Sequence, residues 1–279
     1  LDLKDKNTWR ARPDRELDAS LQKHLMDLES EECPKDFWPV YKGGSFDIWE
    51  ADKGEYYAWA NPAKVLPWLQ DKRLRSYKSS RDSVHKEYQK NYIEDPKTLA
   101  PMKPKIAFRL ITNRTNSRTM VCALTPPNVF HSNSSQIIMM PKGDNKDEAY
   151  LLGVLSSIPL DWYARRFVEI NLNFFLFNPL PIPRPNRENY FWQRVVKISG
   201  RLASIDIRFK DWAKNVGVGY GPLETEIKYE LICELDAVIS HLYGLNEKQL
   251  NHIFETFHRG WDYEERLEKV LNYFYCHKK

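Results

Sequence analysis

The chain has 279 residues, 42% hydrophobic and 29% charged, which is enough apolar sequence to bury the core of one large domain or two modest ones. The four cysteines are far apart and form no C-x-x-C pair, which argues against a disulfide framework and a cysteine zinc site. The longest apolar stretch, residues 150–163, is too short to span a bilayer and is interrupted by Pro159 and Asp161. We therefore expect a cytoplasmic protein without a membrane partner, and the leucine at position 1 leads us to expect a fragment of a longer protein.

The net charge of +4 is unevenly distributed along the chain. Between Lys64 and Arg118 there are 14 Lys/Arg and 5 Asp/Glu, whereas the remainder holds 28 basic and 33 acidic residues. A basic segment in a mildly acidic protein predicts a surface that binds a polyanion. A solvated basic face with no partner is the alternative interpretation of the same charges.

The first predicted elements are a helix, a hairpin and a second helix. Leucines at spacings of four, four and three predict a helix over residues 13–31. Aromatic and β-branched residues around Gly43-Gly44 predict strands that meet at a hairpin. A second helix is expected after Asn61-Pro62, through Leu74.

The strongest strand pattern lies in the middle of the chain. Residues 105–112 and 118–125 are predicted as two strands joined by a polar turn at 113–117. One more strand is expected within 129–140. A helix over 147–169 and a short apolar strand closed by prolines, within 174–185, follow it.

The last third of the chain has helical periodicity throughout. Apolar residues at spacings of three and four predict helices over 187–213 and 223–243. Asn246 and Gln249 form a capping-box pattern that predicts the start of a further helix, and a final helix is expected over 262–275.

The polar turn and the basic segment carry side chains suited to nucleic acid. Arginine forms bidentate hydrogen bonds with guanine and asparagine with adenine, so Asn113, Arg114 and Asn116 are candidate base contacts. Turns favour asparagine in any case, which leaves a purely structural role open. Arg109 and Arg118 flank the hairpin and are interpreted either as internal salt-bridge partners or as DNA contacts. The candidate phosphate contacts are Lys72, Arg73, Arg75, Lys78, Arg81, Lys103 and Lys105.

Three stretches of the sequence share patterns with one family. Residues 108–127 read FRLITNRTNSRTMVCALTPP, the stretch 151–183 contains LLG, NFF and LPIP, and 235–245 reads LDAVISHLYGL. In this order they resemble the specificity regions of adenine-specific DNA methyltransferases of the single-chain type II (type IIG) kind. The departures are Ser156, where the family usually has asparagine, and Leu110, where an acidic residue is common.

The resemblance implies a target-recognition domain that binds double-stranded DNA for a methyltransferase domain, present in cis or as a separate chain. S-adenosylmethionine is implied as the cofactor of that missing domain, and no cofactor is expected in this chain. The implied fold is α+β, with a twisted, mostly antiparallel sheet and flanking helices, followed by a helical C-terminal part. The expected division is 1–36 as an N-terminal helical segment, 37–186 as the recognition domain and 187–279 as a helical connector.

Catalytic motifs are missing from the sequence. Asn61-Pro62 and Asn178-Pro179 lack the Pro-Pro-aromatic continuation of an adenine methyltransferase, and the glycines of 217–221 lie between predicted helices rather than after a strand. The letters of a PD…ExK nuclease occur only at Pro13-Asp14 and 226–228, in separate predicted helices. We therefore expect no catalytic residue and no metal ligand in this chain.

Three alternatives remain open. The same fragment is expected to serve both activities if a restriction endonuclease is fused to the methyltransferase. A protein-interaction scaffold in a phage-defence assembly would leave the basic face merely solvated. Binding of single-stranded RNA would require exposed aromatic rings, whereas Trp49, Trp59 and Trp162 are expected to be buried.

Overall fold

The computed structural model describes residues 26–27, 30–79, 81 and 83–277, and over these ranges the fold is mixed α+β with two small sheets. The strands are β1 (Met26–Asp27), β2 (Trp38–Tyr41), β3 (Ala58–Ala60), β4 (Lys105–Arg109), β5 (Cys122–Thr125), β6 (Phe130–His131) and β7 (Ser135–Ile137). The helices are α1 (Pro62–Ser79), α2 (Lys90–Glu94), α3 (Asn145–Ser156), α4 (Ile158–Ala164), α5 (Phe174–Phe177), α6 (Tyr190–Ala203), α7 (Lys210–Val216), α8 (Thr225–Leu242), α9 (Glu247–Phe257) and α10 (Glu264–Cys276).

The first sheet has the strand order β1-β3-β2-β6, with β6 parallel to β2 and the other pairs antiparallel. The hairpin predicted at Gly43-Gly44 is wrong, because β2 pairs with the distant β3. A short 3-10 turn follows β2 instead. It is held by the buried Ser45 hydroxyl, which accepts from the Lys42 N–H at 2.9 Å and donates to the Glu55 carbonyl at 2.5 Å.

The N-terminal helix predicted over 13–31 falls mostly on residues outside the described ranges. At Met26–Asp27, however, the chain is a strand that pairs antiparallel with β3, so the helix does not extend over these two residues. The single sheet expected from the resemblance is replaced by two small ones, since β4, β5 and β7 pair only with one another.

The second sheet contains the predicted central hairpin. Its strand order is β5-β4-β7, and β4 pairs antiparallel with β5 from Lys105↔Thr125 to Phe108↔Cys122. The hairpin is confirmed, but its strands are shorter than expected. The loop between them covers residues 110–121 and contains the three side chains predicted to contact bases, and we call it the recognition loop after that prediction.

Two long helices predicted from periodicity are each divided. The helix expected over 147–169 ends at Ser157, whose hydroxyl donates to the Val154 carbonyl at 2.7 Å before α4 begins with Pro159 in its first turn. Proline lacks the N–H that would continue α3. The helix expected over 187–213 is likewise interrupted after α6, where the Asp206 carboxylate accepts from the Arg208 N–H at 2.8 Å and starts a new turn.

The strand expected within 174–185 is wrong, because the segment starts with the short helix α5. The Asn173 side chain accepts from the Leu176 N–H at 3.1 Å and so caps this helix. Phe174 contacts the Phe108 ring edge-on at 5.6 Å, and Phe177 stacks on it at 4.5 Å. Phe174 and Phe177, two of the apolar residues that suggested a strand, are therefore the packing face of one helical turn.

The main core lies between the β4–β5 hairpin and helices α3, α6 and α8. Phe108, Leu152, Ile198 and Val238 are fully buried in it, so residues on both sides of position 186 share one core. A second cluster of buried residues joins α9 and α10 to α4 and α8. The capping box at the start of α9 is present as predicted.

Candidate nucleic-acid interface

The recognition loop contains the three candidate base contacts. Arg114 and Asn116 are exposed, and Asn113 is partly exposed. The Asn113 amide oxygen accepts from the Thr115 N–H at 2.9 Å, and its carbonyl accepts from the Asn116 N–H at 3.2 Å. Asn113 therefore forms the turn itself, and only its amide NH₂ group is left to meet a base, whereas Arg114 and Asn116 present their whole side chains.

A buried carboxylate holds the C-terminal half of the recognition loop. Asp161 of α4 is fully buried and accepts from the backbone N–H groups of Thr119 and Met120, each at 3.1 Å. Its other oxygen accepts from Arg118 Nε at 2.5 Å, and Arg118 also donates to the Ser156 carbonyl at 2.7 Å. A buried charge is tolerated only when paired and hydrogen-bonded, and these contacts meet that condition.

A second buried side chain holds the tip of the recognition loop. The Arg165 guanidinium donates to the carbonyl oxygens of Arg114 at 3.1 Å, Asn116 at 2.7 Å and Ser117 at 2.7 Å. It also donates to the Phe257 carbonyl at 3.0 Å and lies 4.1 Å from the Phe257 ring centre. Three carbonyls of the turn therefore face the protein, while Arg114 and Asn116 face solvent.

The charges beneath the recognition loop favour an anion above it. One carboxylate, Asp161, is shared by the guanidinium groups of Arg118 and Arg165. Burial lowers the pKa of Arg165, which the nearby Asp161 carboxylate opposes. The three groups together leave one positive charge in excess, which attracts a polyanion toward the exposed turn.

The helix that carries Asp161 and Arg165 is itself fixed by the C-terminal helices. The Ile158 N–H at the start of α4 donates to the buried carboxylate of Asp236 on α8 at 2.8 Å. The other oxygen of Asp236 accepts from Arg266 on α10 at 2.5 Å. The recognition loop is thus joined to the C-terminal helices through two buried carboxylates.

Five of the candidate phosphate contacts are exposed, at or near helix α1. Lys72 Nζ lies 4.8 Å from the Trp68 ring centre, and Arg75 forms an exposed ion pair with Asp71 at 3.0 Å. The exposed members of the set are Lys72, Arg75, Lys78, Arg81 and Lys103. Such cations remain accessible to a phosphate, because a surface ion pair is worth only about 1 kcal/mol or less.

Arg73 is corrected from a phosphate contact to an internal residue. It is only 6% exposed and donates to the Thr98 hydroxyl at 2.9 Å, the Asp95 carbonyl at 2.9 Å and the Gln70 amide oxygen at 2.5 Å. A guanidinium enclosed by these acceptors joins α1 to the segment around residues 95–98 and does not reach the surface.

Lys105 is corrected in the same way. Its side chain is 16% exposed and pairs at 3.3 Å with Glu148, which also accepts from Trp212 Nε1 at 2.9 Å. Arg109, for which two roles were open, donates to the Phe46 carbonyl at 2.5 Å and to the Asp47 carboxylate at 3.0 Å. Arg109 and Arg118 therefore both make internal contacts.

A cleft of about 640 Å³ lies between α1 and the segment 131–137. Its walls include Tyr57, Trp68 and Lys72 on one side and Ser132, Asn133 and Gln136 on the other. The second wall adjoins the recognition loop, since the Ser134 carbonyl accepts from the Leu110 N–H at 3.0 Å. The cleft therefore lies between the basic helix and a segment that is hydrogen-bonded to the base of the recognition loop.

One of the exposed cations, Lys103, lies at the other end of β4 from the recognition loop. The five residues of the strand separate Lys103 from the loop by roughly 17 Å at about 3.4 Å per residue. That separation is about half a helical turn of B-DNA, whose repeat is roughly 34 Å.

No family model, curated protein or solved structure matches the chain. The proposed function therefore depends on the geometry of the residues and on the resemblance of the three sequence stretches.

Three further properties limit the chemistry of this surface. Over the described ranges, no three His, Cys, Asp or Glu residues are grouped so that they would hold a metal ion. Among the helices of the same ranges, none combines the length and apolar composition needed to cross a membrane. The glycines at 217–221 do not fit a cofactor loop, because Gly217 ends helix α7 in a left-handed conformation and Gly221 is tied to the Ser204 carbonyl at 2.8 Å.

Sequence reasoning missed Asp161, Arg165 and the polar wall of the cleft. A signal for Asp161 was present, because one carboxylate within an apolar helical stretch is expected to be buried and paired. Arg165 follows it by four residues, the spacing at which helical side chains are neighbours. The Ser/Asn/Gln-rich segment 132–136 carried no signal that separates a binding wall from an ordinary loop.

Proposed function

We propose that this chain is a DNA sequence-recognition module, the specificity part of an adenine-specific restriction–modification methyltransferase. The observation that carries the proposal is the recognition loop, whose backbone is held by Asp161 and Arg165 while Arg114 and Asn116 are exposed. A site that discriminates between bases must hold its side chains within about 0.5 Å of the productive geometry. The buried Arg165 and Asp161, with the partly buried Arg118, fix the backbone of this polar turn in the way that such a site requires.

The target-recognition-domain fold is part of the proposal and has its own support. The three stretches that resemble the family contact one another through buried carboxylates. Arg118 of the first stretch pairs with Asp161 of the second, and Ile158 of the second donates to Asp236 of the third. A recognition lobe followed by a helical connector accounts for this arrangement, since the connector fixes the lobe's orientation.

The proposal divides DNA binding between two kinds of contact. The five exposed cations at or near α1 bind phosphates, which supply affinity and register without sequence information. Lys72, the hydroxyl of Ser132 and the amides of Asn133 and Gln136 line the cleft with groups that hydrogen-bond to a DNA backbone. Arg114 and Asn116 then read base edges in the major groove, where each good bidentate contact discriminates by about 1–3 kcal/mol.

The methyl transfer belongs to a domain outside this chain, in cis or as a separate polypeptide, and that domain would bind S-adenosylmethionine. A fused restriction endonuclease would use the same recognition module. We expect no heat of binding when the chain alone is titrated with S-adenosylmethionine. A one-to-one micromolar binding event would contradict this part of the proposal.

The central test is a selection from a random duplex DNA pool with the wild-type chain and with Arg114→Ala and Asn116→Ala. Wild type is expected to enrich a short motif, and each variant to lose preference at one base position while keeping its melting temperature. Arg75→Ala and Lys78→Ala are the matched controls. They should weaken binding to all sequences about equally, because they remove phosphate contacts.

Two outcomes contradict the assignment of roles. If Arg114→Ala lost affinity uniformly with no change in base preference, the recognition loop would be a phosphate clamp. If the wild-type chain bound no duplex DNA at low salt, the exposed cations would be a solvated face and the chain would not be a DNA-recognition module.

A further inference from the structure

Exposed apolar side chains are concentrated beside the recognition loop. Of the thirteen large hydrophobic residues that are exposed in the described part of the chain, six lie at position 111 or within 163–175. They are Ile111, Tyr163, Phe167, Ile170, Phe174 and Phe175. Single exposed apolar residues are ordinary on a protein surface, but a group of them marks a contact surface.

The backbone joins this group directly to the recognition loop. The Thr112 N–H donates to the Ile170 carbonyl at 2.9 Å, and the Leu172 N–H donates to the Leu110 carbonyl at 2.7 Å. Ile111 lies between them in an antiparallel bridge with Asn171. The segment 170–172 is therefore tied to the base of the loop by an isolated β-bridge and two backbone hydrogen bonds, so the two segments lie side by side.

Phe175 is fixed in an exposed position by its neighbours. Its side chain is 83% exposed, whereas Phe174 and Phe177 of the same helical turn pack on the buried Phe108. Ile111 and Ile170 are 64% and 65% exposed. We call Ile111, Ile170 and Phe175 the apolar edge.

We infer that the apolar edge contacts the 5-methyl groups of thymine next to the bases that the recognition loop reads. This inference rests on the proposed function. A two-stranded ribbon fits the major groove, and the thymine methyl is the apolar group that base pairs present there. A segment that is hydrogen-bonded to the loop enters the groove with the loop. Contact between the apolar edge and the methyl groups would then bury apolar surface of both.

The polar neighbours of the apolar edge favour DNA over an acidic or neutral protein surface. Asn171 and Asn173 are exposed beside it, and so is Arg166, whereas Glu169 is the one acidic residue within 162–175. With the positive excess beneath the recognition loop, these groups complement a negatively charged duplex.

The test compares two random duplex pools, one made with thymidine and one with deoxyuridine, which lacks only the 5-methyl group. We expect the wild-type chain to bind the best deoxyuridine sequences about fourfold more weakly for each contacted methyl, the factor that burial of one such group contributes. Ile170→Ala and Phe175→Ala should abolish the difference between the pools. Ile207→Ala is the matched control, because Ile207 is also exposed (62%) but lies between α6 and α7.

The outcomes separate this inference from the proposed function. Absence of binding to either pool overturns the proposed function. Equal binding to both pools, with an enriched motif in each, overturns the thymine contact and leaves DNA recognition standing. If Ile170→Ala and Phe175→Ala keep the thymidine preference of the wild type, other residues contact the methyl groups and the inference is wrong. If Phe175→Ala weakened binding to both pools equally, the ring would stack between base pairs instead, and the inference would be wrong.

Discussion

The recognition loop and helix α1 both present exposed polar or basic side chains. The contacts that hold them are buried beneath the loop and exposed on the helix. Arg114 and Asn116 are exposed on a backbone that is held by the buried Asp161 and Arg165. The exposed cations Lys72 and Arg75 of α1 contact surface groups, the Trp68 ring and Asp71. A cation that binds a phosphate tolerates a flexible stem, whereas a side chain that selects one base does not. Under the proposed function, this difference in support distinguishes a region suited to affinity from one suited to base selection.

The largest expected effect is loss of the carboxylate beneath the recognition loop. Asp161→Asn leaves Arg118 and Arg165 without their buried anion, and breaking such a pair costs about 3–5 kcal/mol of unfolding free energy. Urea denaturation measures it. Asp71→Asn on α1 is the matched control, since an exposed ion pair contributes about 1 kcal/mol or less. If Asp161→Asn and Asp71→Asn lowered the unfolding free energy equally, the contacts beneath the loop would be no stronger than those on the helix surface.

Replacing the second buried side chain should lower both stability and selectivity. Arg165→Lys keeps the positive charge, but an ammonium cannot reproduce a guanidinium that donates to four separate carbonyls. We expect a loss of about 1–3 kcal/mol in stability. We also expect faster hydrogen exchange at the Asn116 amide and a broader selected DNA motif. Rapid exchange without broadening would mean that the loop does not need to be rigid to read DNA.

Removing exposed cations should act on affinity alone. If Lys72, Arg75, Lys78, Arg81 and Lys103 neutralise about 5 phosphates, log K falls with log salt at a slope of about −4.5. The triple variant Arg75→Gln, Lys78→Gln and Arg81→Gln should reduce that slope by about 2.7 and weaken binding at least about tenfold at low salt. Its selected motif should be unchanged. Arg73→Met is the informative control, because its loss should lower stability and leave the slope alone.

The smallest expected effect is a change of stability with pH that depends on a histidine beside the cleft. His131 of β6 borders the cleft and hydrogen-bonds to Ser135 at 2.8 Å, and burial lowers its pKa from 6.5 to about 4. The fold therefore favours the neutral ring, so its stabilisation is complete above pH 6.5 and is lost as the pH falls toward 4. Comparing wild type with His131→Gln by urea denaturation at pH 7 and at about pH 5.5 should show an extra loss on the order of 1 kcal/mol in wild type. Parallel pH profiles would contradict it.

The sequence predicted the parts of the fold that local pattern determines. The central hairpin follows from two runs of apolar and β-branched residues around a polar turn, and the start of α9 follows from the capping box of Asn246 and Gln249. The breaks in the helices predicted over 147–169 and 187–213 were missed, because the helical spacing of apolar residues continues across both breaks. Ser157 and Asp206 end and restart helices through hydrogen bonds that a pattern of apolar spacing does not contain.

The candidate site was predicted less completely, because burial and long-range partners decide it. Thr112 and Arg118 were assigned to strands, yet Thr112 bonds across the recognition loop to the Thr119 carbonyl, and the partner of Arg118 is 43 residues away. Arg73 and Arg75 are near neighbours on one helix, and only packing against the segment around residue 95 makes the first internal and the second exposed. Sequence identified the basic helix correctly, but it did not show which of its cations are accessible.

Arg165 holds the recognition loop by its carbonyl oxygens, and every amino acid has a carbonyl oxygen. The side chains at positions 114 and 116 can therefore change without disturbing the contacts that fix the turn. Under the proposed function, such a module would acquire a new target sequence by substitutions at these two positions, without refolding. Asn113 would stay in place, because its amide oxygen accepts from the Thr115 N–H and so helps to form the turn.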